Sequence, residues 1–139
     1  MTMDTTLDTE KLKNVAAEVA RKFGLLLVVL FGSYATGHTH RQSDIDVAML
    51  SEQPLDIREQ IRIGFELERA LRAGPVEVVD LKHAPPLLLK ADATDGVVLY
   101  ERDQGVFAEF QLRAMKRYVE TRRLRELQKD ALQAYLQTV

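Results

Sequence analysis

The sequence predicts a small α/β (α+β) domain built around one sheet. Short apolar runs bounded by Gly or Pro alternate with stretches whose apolar residues recur every three or four positions, the periods of buried strands and amphipathic helices. The chain has 139 residues, the size of one domain, with no internal repeat and no linker-like segment. Its 46% hydrophobic and 29% charged residues give an ordinary globular balance, not that of a disordered chain. Cysteine is absent, which excludes disulfide scaffolds, thiolate zinc sites, iron–sulfur clusters and cysteine nucleophiles.

The elements follow in order. Leu12, Val15, Ala16, Val19 and Phe23 form one apolar stripe and predict a helix over Asp8 to Phe23, ended by Gly24. Leu25 to Phe31 reads as a buried strand, stopped by Gly32-Ser33. A polar loop from Thr36 to Ser43 leads to a second strand over Asp44 to Leu50. There Asp44, Asp46 and Ala48 share one face, and Ile45, Val47 and Met49 the other. Asp56 with Glu59 three residues on forms a capping box that starts the next helix. Ile57, Ile61, Phe65 and Leu71 are expected to be its buried stripe, and Gly74-Pro75 its end. Val76 to Leu81 is a third strand. A short helical segment is expected after Pro85-Pro86, and a fourth strand over Gly96 to Tyr100. From about Gln104 a long, interrupted helix is predicted. Phe107, Phe110, Ala114 and Tyr118 make its first stripe; Leu124, Leu127, Ala131 and Tyr135 continue on a shifted face. One domain is therefore expected over 1–139, with its core at about 8–103 and a helical segment at about 104–137.

The net charge is −2, unevenly distributed. Residues 1–100 carry 11 basic and 15 acidic groups, whereas residues 101–139 carry 8 basic and 6 acidic. The acidic first part argues against extended nucleic-acid binding. The basic helix beyond it reads as a solvated face or as a surface for an acidic partner. Met1 to Glu10 lacks the apolar core of a signal peptide, and Leu25 to Phe31, the longest apolar run, is far short of the ~20 residues that span a bilayer. No membrane association is expected, and the cytoplasm is the expected compartment.

The informative segment runs from Leu30 to Val47. Gly32 lets the chain approach a ligand closely, and N–H groups after Ser33 would attract phosphate oxygens if a helical turn starts there. Asp44 and Asp46, two residues apart on one strand face, repel each other unless a cation lies between them. Oxygen donors without thiolates favour a hard cation, Mg²⁺ or Mn²⁺. Asp80 ends an otherwise apolar strand. If that strand lies beside the Asp44–Asp46 strand, three carboxylates converge, as a two-metal phosphoryl-transfer site requires. The remaining polar signals are weaker: His38, His40 and His83 read as loop histidines.

Gly32-Ser33, ten intervening residues and then Asp44-Ile45-Asp46 resemble the signature of the nucleotidyltransferase superfamily related to DNA polymerase β. The small size and the later Val78-Val79-Asp80 are similar to its minimal nucleotidyltransferases, the MNT proteins. The resemblance covers about residues 8–103. It implies a polymerase β-like mixed sheet, with two Mg²⁺ ions on Asp44, Asp46 and Asp80 and the phosphates of ATP on Gly32 and Ser33. It implies transfer of a nucleoside monophosphate with loss of pyrophosphate, Asp80 helping to activate the acceptor hydroxyl. Many family members carry an Arg where this chain has Thr36, so the phosphate contact from that position is not implied here; Arg41 in the same loop is a candidate substitute.

The acceptor is not set by the motif. Stand-alone minimal members resemble antitoxins paired with HEPN-domain ribonuclease toxins. That resemblance implies transfer of AMP from ATP to a hydroxyl of the toxin, a tyrosine, which silences its RNase site. Two alternatives stand beside it: a non-catalytic, nucleotide-sensing antitoxin that acts by binding, and a nucleotidyltransferase for a small molecule or RNA end.

Overall fold

The computed structural model describes residues 9–31, 45–72, 74–83 and 96–138. Helix α1 spans Thr9–Phe23 and strand β1 Leu25–Phe31; β2 follows at Ile45–Ser51 and α2 at Ile57–Leu71. Strands β3 (Val76–Asp80) and β4 (Val97–Glu101) precede the helices α3 (Val106–Glu120) and α4 (Arg122–Gln137). The strands form one sheet in the order β3-β2-β1-β4. β1 is antiparallel to both β2 and β4, whereas β2 and β3 run parallel, so the sheet is mixed. A parallel pair needs a crossover, and α2 supplies it.

The sheet is buried on both faces. On one face Val28, Leu30, Ile45, Val47 and Met49 pack against Leu12, Ala16 and Val19 of α1 and Ile63, Leu67 and Leu71 of α2. On the other, Leu27, Val29 and Ala48 pack under Phe110 and Ala114 of α3. Each buried aliphatic side chain contributes about 1.5–3 kcal/mol, so the larger core dominates stability. Gly24, at φ +67°, turns α1 into β1 and adopts a conformation that other residues rarely take. An ion pair between Lys22 and Glu66 joins α1 to α2. The backbone N–H of Arg102 donates to the Leu26 carbonyl at 2.9 Å, at the point where a bulge in β1 shifts its register with β2.

The predicted capping box forms. The Asp56 carboxylate accepts from the Glu59 N–H at 2.8 Å, and the Glu59 side chain returns to the Asp56 N–H at 3.4 Å. The predicted stripe of α2 is corrected. Ile57, Ile61 and Phe65 are 73%, 52% and 63% exposed; Ile63, Gly64, Leu67 and Leu71 face the sheet instead. Two apolar stripes run along this helix. The one containing Gly64 seats closely on β3: a Cβ there would lie 3.7 Å from the Val76 carbonyl oxygen and from Val78, ordinary contact distance that suits a small residue. The long C-terminal helix is interrupted at Thr121, as expected of an interrupted segment, yet α4 buries no residue. The helical segment expected after Pro85-Pro86 lies outside the described residues.

Candidate active site

β1 ends at Phe31 where β2 begins, and Asp46 is the second residue of β2, opposite Phe31. Alternation places Asp46 on the face of Ala48, the α3 side of the sheet. Three hydrogen bonds place β3 alongside. The Ile45 N–H donates to the Pro75 carbonyl at 3.0 Å, the Val76 N–H to Glu68 Oε1 of α2 at 2.9 Å, and the Leu81 N–H to the Met49 carbonyl at 2.9 Å. The resulting register sets Asp46 directly beside Glu77 and Met49 beside Asp80. In-register neighbours of a parallel pair project to the same side, so Asp46 and Glu77 share one face at the end of the sheet where β2 and β3 start. Glu77 is exposed and makes no hydrogen bond or ion pair among the described residues. Asp46 is half-buried.

Asp80 does not join this pair. It lies three residues further along the register, about 10 Å away, and on the opposite face, because the side-chain period of a strand is two. Its side chain is 5% exposed. Oδ1 accepts from the Lys82 N–H at 3.0 Å, and Oδ2 has no hydrogen-bond partner among the described residues. The exposed His83 holds Nε2 3.9 Å from Oδ2. Asp80 thus closes the turn after β3, and the convergence of Asp44, Asp46 and Asp80 expected from the sequence does not extend to Asp80. Glu77 was legible only through the register: a parallel β2–β3 pair aligned start to start would have pointed to it.

Asp44, Gly32, Ser33 and Arg41 lie outside the described residues, as do His38 and His40. Among the described residues no three metal-binding side chains gather. The donors that do meet, Asp46 and Glu77, are both carboxylates, the chemistry suited to a hard divalent cation. An exposed carboxylate with no cationic partner beside a half-buried one fits such an ion. A cavity of about 490 Å³ lies at the other end of the sheet, against Leu50, Leu81, Phe110 and Arg117, and includes neither Asp46 nor Glu77. No helix among the described residues is long and apolar enough to cross a membrane.

The model of the family described as Polymerase beta, Nucleotidyltransferase matches residues 10–105. The chain is 38% identical over 86 residues to the protein adenylyltransferase MntA of Shewanella oneidensis, a match spanning 60% of this chain and 61% of that protein. It is 30% identical over 122 residues to the protein adenylyltransferase MntA of Aphanizomenon flos-aquae, spanning 81% of each. Among solved structures, a toxin–antitoxin crystal structure with AMP-PNP superposes with a TM-score of 0.78 at 30% identity, covering 87% of this chain and 98% of that one. The MNT antitoxin in complex with the tri-AMPylated HEPN toxin of Shewanella oneidensis gives 0.74 at 26% identity, covering 91% and 99%.

Proposed function

Because the chain belongs to the polymerase β nucleotidyltransferase family, we propose that it is a protein adenylyltransferase that moves AMP from ATP to a tyrosine hydroxyl of a HEPN-domain ribonuclease toxin and so acts as its antitoxin. Relatives alike over most of their length are adenylyltransferases, and structures alike over nearly their whole length are toxin–antitoxin complexes. The observation that carries the reading to this chain is the side-by-side placement of Asp46 and Glu77 on one face where two parallel strands begin.

In this reading Asp44 and Asp46 would hold Mg²⁺, with Glu77 rather than Asp80 as the third acid. Bound Mg²⁺ would neutralise the triphosphate and the charge that develops at the α-phosphorus. Gly32 and Ser33 would offer backbone N–H groups to the phosphates, and Arg41 would add a cation. The acceptor oxygen bonds to the α-phosphorus of ATP, the bond to the β-phosphate bridging oxygen breaks, and pyrophosphate leaves. The hydroxyl proton passes to Glu77, whose exposed carboxylate is open to an incoming acceptor. A bulky anion on the toxin then blocks RNA by charge and volume.

Incubation of the HEPN-domain protein encoded beside this chain with the chain, ATP and Mg²⁺ tests the reading by intact mass. A gain of one adenylyl group per transfer is expected. An unchanged mass in a stable complex of the two proteins would mean that neutralisation works by binding alone.

A further inference from the structure

Among the described residues, helix α4 is joined to the fold chiefly by its continuity with α3. The Thr121 N–H donates to the Arg117 carbonyl at 3.1 Å and the Arg125 N–H to the Thr121 carbonyl at 3.0 Å, so the helical ladder runs through the interruption. Phe110, Ala114, Arg117, Thr121 and Leu124 follow at alternating four- and three-residue steps, and Ala131 and Tyr135 continue the line. In α3 this line packs on the sheet through Phe110 and Ala114. In α4 it runs on with no described residue packed beneath it: Leu124 and Tyr135 on the line are 56% and 66% exposed, and Leu127 beside them is 56% exposed. A 16-residue helix with such a face is marginal in water on its own.

Charge indicates what covers it. The first half of α4 carries Arg122, Arg123, Arg125 and Lys129 against Glu126 and Asp130, and the second half, from Ala131 to Gln137, carries no charge. Arg122 pairs with Glu126 at 3.2 Å, and the Arg125 guanidinium lies 3.7 Å from the centre of the Tyr118 ring. Arg123 and Lys129 have no ion pair among the described residues, nor does Arg117 at the 490 Å³ cavity where the line begins. Two copies of α4 paired antiparallel would set this basic half against an uncharged one. Paired parallel, they would set cation against cation. Neither arrangement matches the charge, whereas an acidic surface does.

We propose that the exposed face of α4 is the docking surface for the protein that receives AMP, and that the occupant is an amphipathic helix of that protein whose apolar seam is flanked by acidic residues. This rests on the toxin-modifying reading above. The four-three spacing suits helix-on-helix packing at a shallow crossing angle. Leu124, Leu127 and Tyr135 supply the buried seam, with Arg123 at one rim and Arg125 at the other.

The test measures binding of the full chain to the HEPN-domain partner by calorimetry, beside Mg²⁺-dependent binding of an ATP analogue. Leu124→Ser with Leu127→Ser is expected to weaken partner binding at least about 100-fold, as loss of a central apolar anchor does, and to leave nucleotide binding unchanged. Arg123→Glu alters only a solvated charge and is expected to weaken binding about 5-fold, more at low salt than at high. Partner affinity equal to wild type in both variants overturns the proposal. So does a wild-type chain that sediments as a dimer dissociated by the serine variants, or loss of oligoribonucleotide binding in the variants with partner binding intact. Loss of binding in the variants, with no AMP transfer by the wild type, supports the docking surface and overturns the catalytic reading.

Discussion

Asp46 and Glu77 are in-register neighbours across the only parallel strand pair among the described residues, and they present their carboxylates to the same side of the sheet. Asp80, three residues further on, turns to the other side and is buried. The two acids of β3 therefore have separable consequences on substitution.

Glu77→Gln is expected to slow AMP transfer by about 10²- to 10⁴-fold, the range for loss of a positioned proton acceptor, with ATP-analogue affinity little changed. Asp80→Asn keeps an oxygen to accept from the Lys82 N–H and is expected to leave the transfer rate within about threefold of wild type. Single-turnover transfer of labelled AMP distinguishes them. The reverse ranking would restore Asp80 as the third acid.

Asp46→Asn is expected to abolish detectable transfer while the apo protein still unfolds in one cooperative transition. Mg²⁺ with an ATP analogue should raise the wild-type melting temperature by linkage and leave that of the variant unmoved. Differential scanning calorimetry at a series of Mg²⁺ concentrations reads both.

Gly64→Ala is expected to stabilise the fold by about 0.5–1 kcal/mol. The added methyl group meets Val76 and Val78 at ordinary contact distance, and the helix gains propensity. A larger residue such as Leu should cost about 1–3 kcal/mol by overpacking the same contact. Urea midpoints for the two variants should move in opposite directions.

Arg72 ends α2 at φ +49°, with its N–H donating to the Glu68 carbonyl at 2.9 Å. A side chain in the left-handed region costs on the order of 1 kcal/mol, which Arg72→Gly should recover. An unchanged or lowered urea midpoint would show that the Arg72 side chain offsets the strain.

The sequence made much of this legible because local chemistry decided it. Asp56 and Glu59 announced a helix start, and alternation placed Asp46 opposite the face of Val47. What it hid was relational. Ile57-Ile61-Phe65 and Ile63-Leu67-Leu71 are both plausible buried stripes on one helix, and only the seating of Gly64 on β3 decides between them. Likewise Glu77 and Asp80 are both acids on one apolar strand. The hydrogen bonds from Ile45 and Val76 decide which of them stands beside Asp46, and strand register has no signature within the strand itself.

The interior is divided unequally by the sheet: the core beneath α1 and α2 is the larger, and α3 closes a smaller one with Phe110 and Ala114 while α4 adds nothing to either. Opening of the C-terminal helices therefore sacrifices little apolar contact, whereas opening of α1 or α2 dismantles the molecule. Amide hydrogens should exchange in that sequence, α4 first, then α3 as a sub-global unit, and the central strands only with complete unfolding. A bound toxin would then be read as protection spreading from the chain's last two helices.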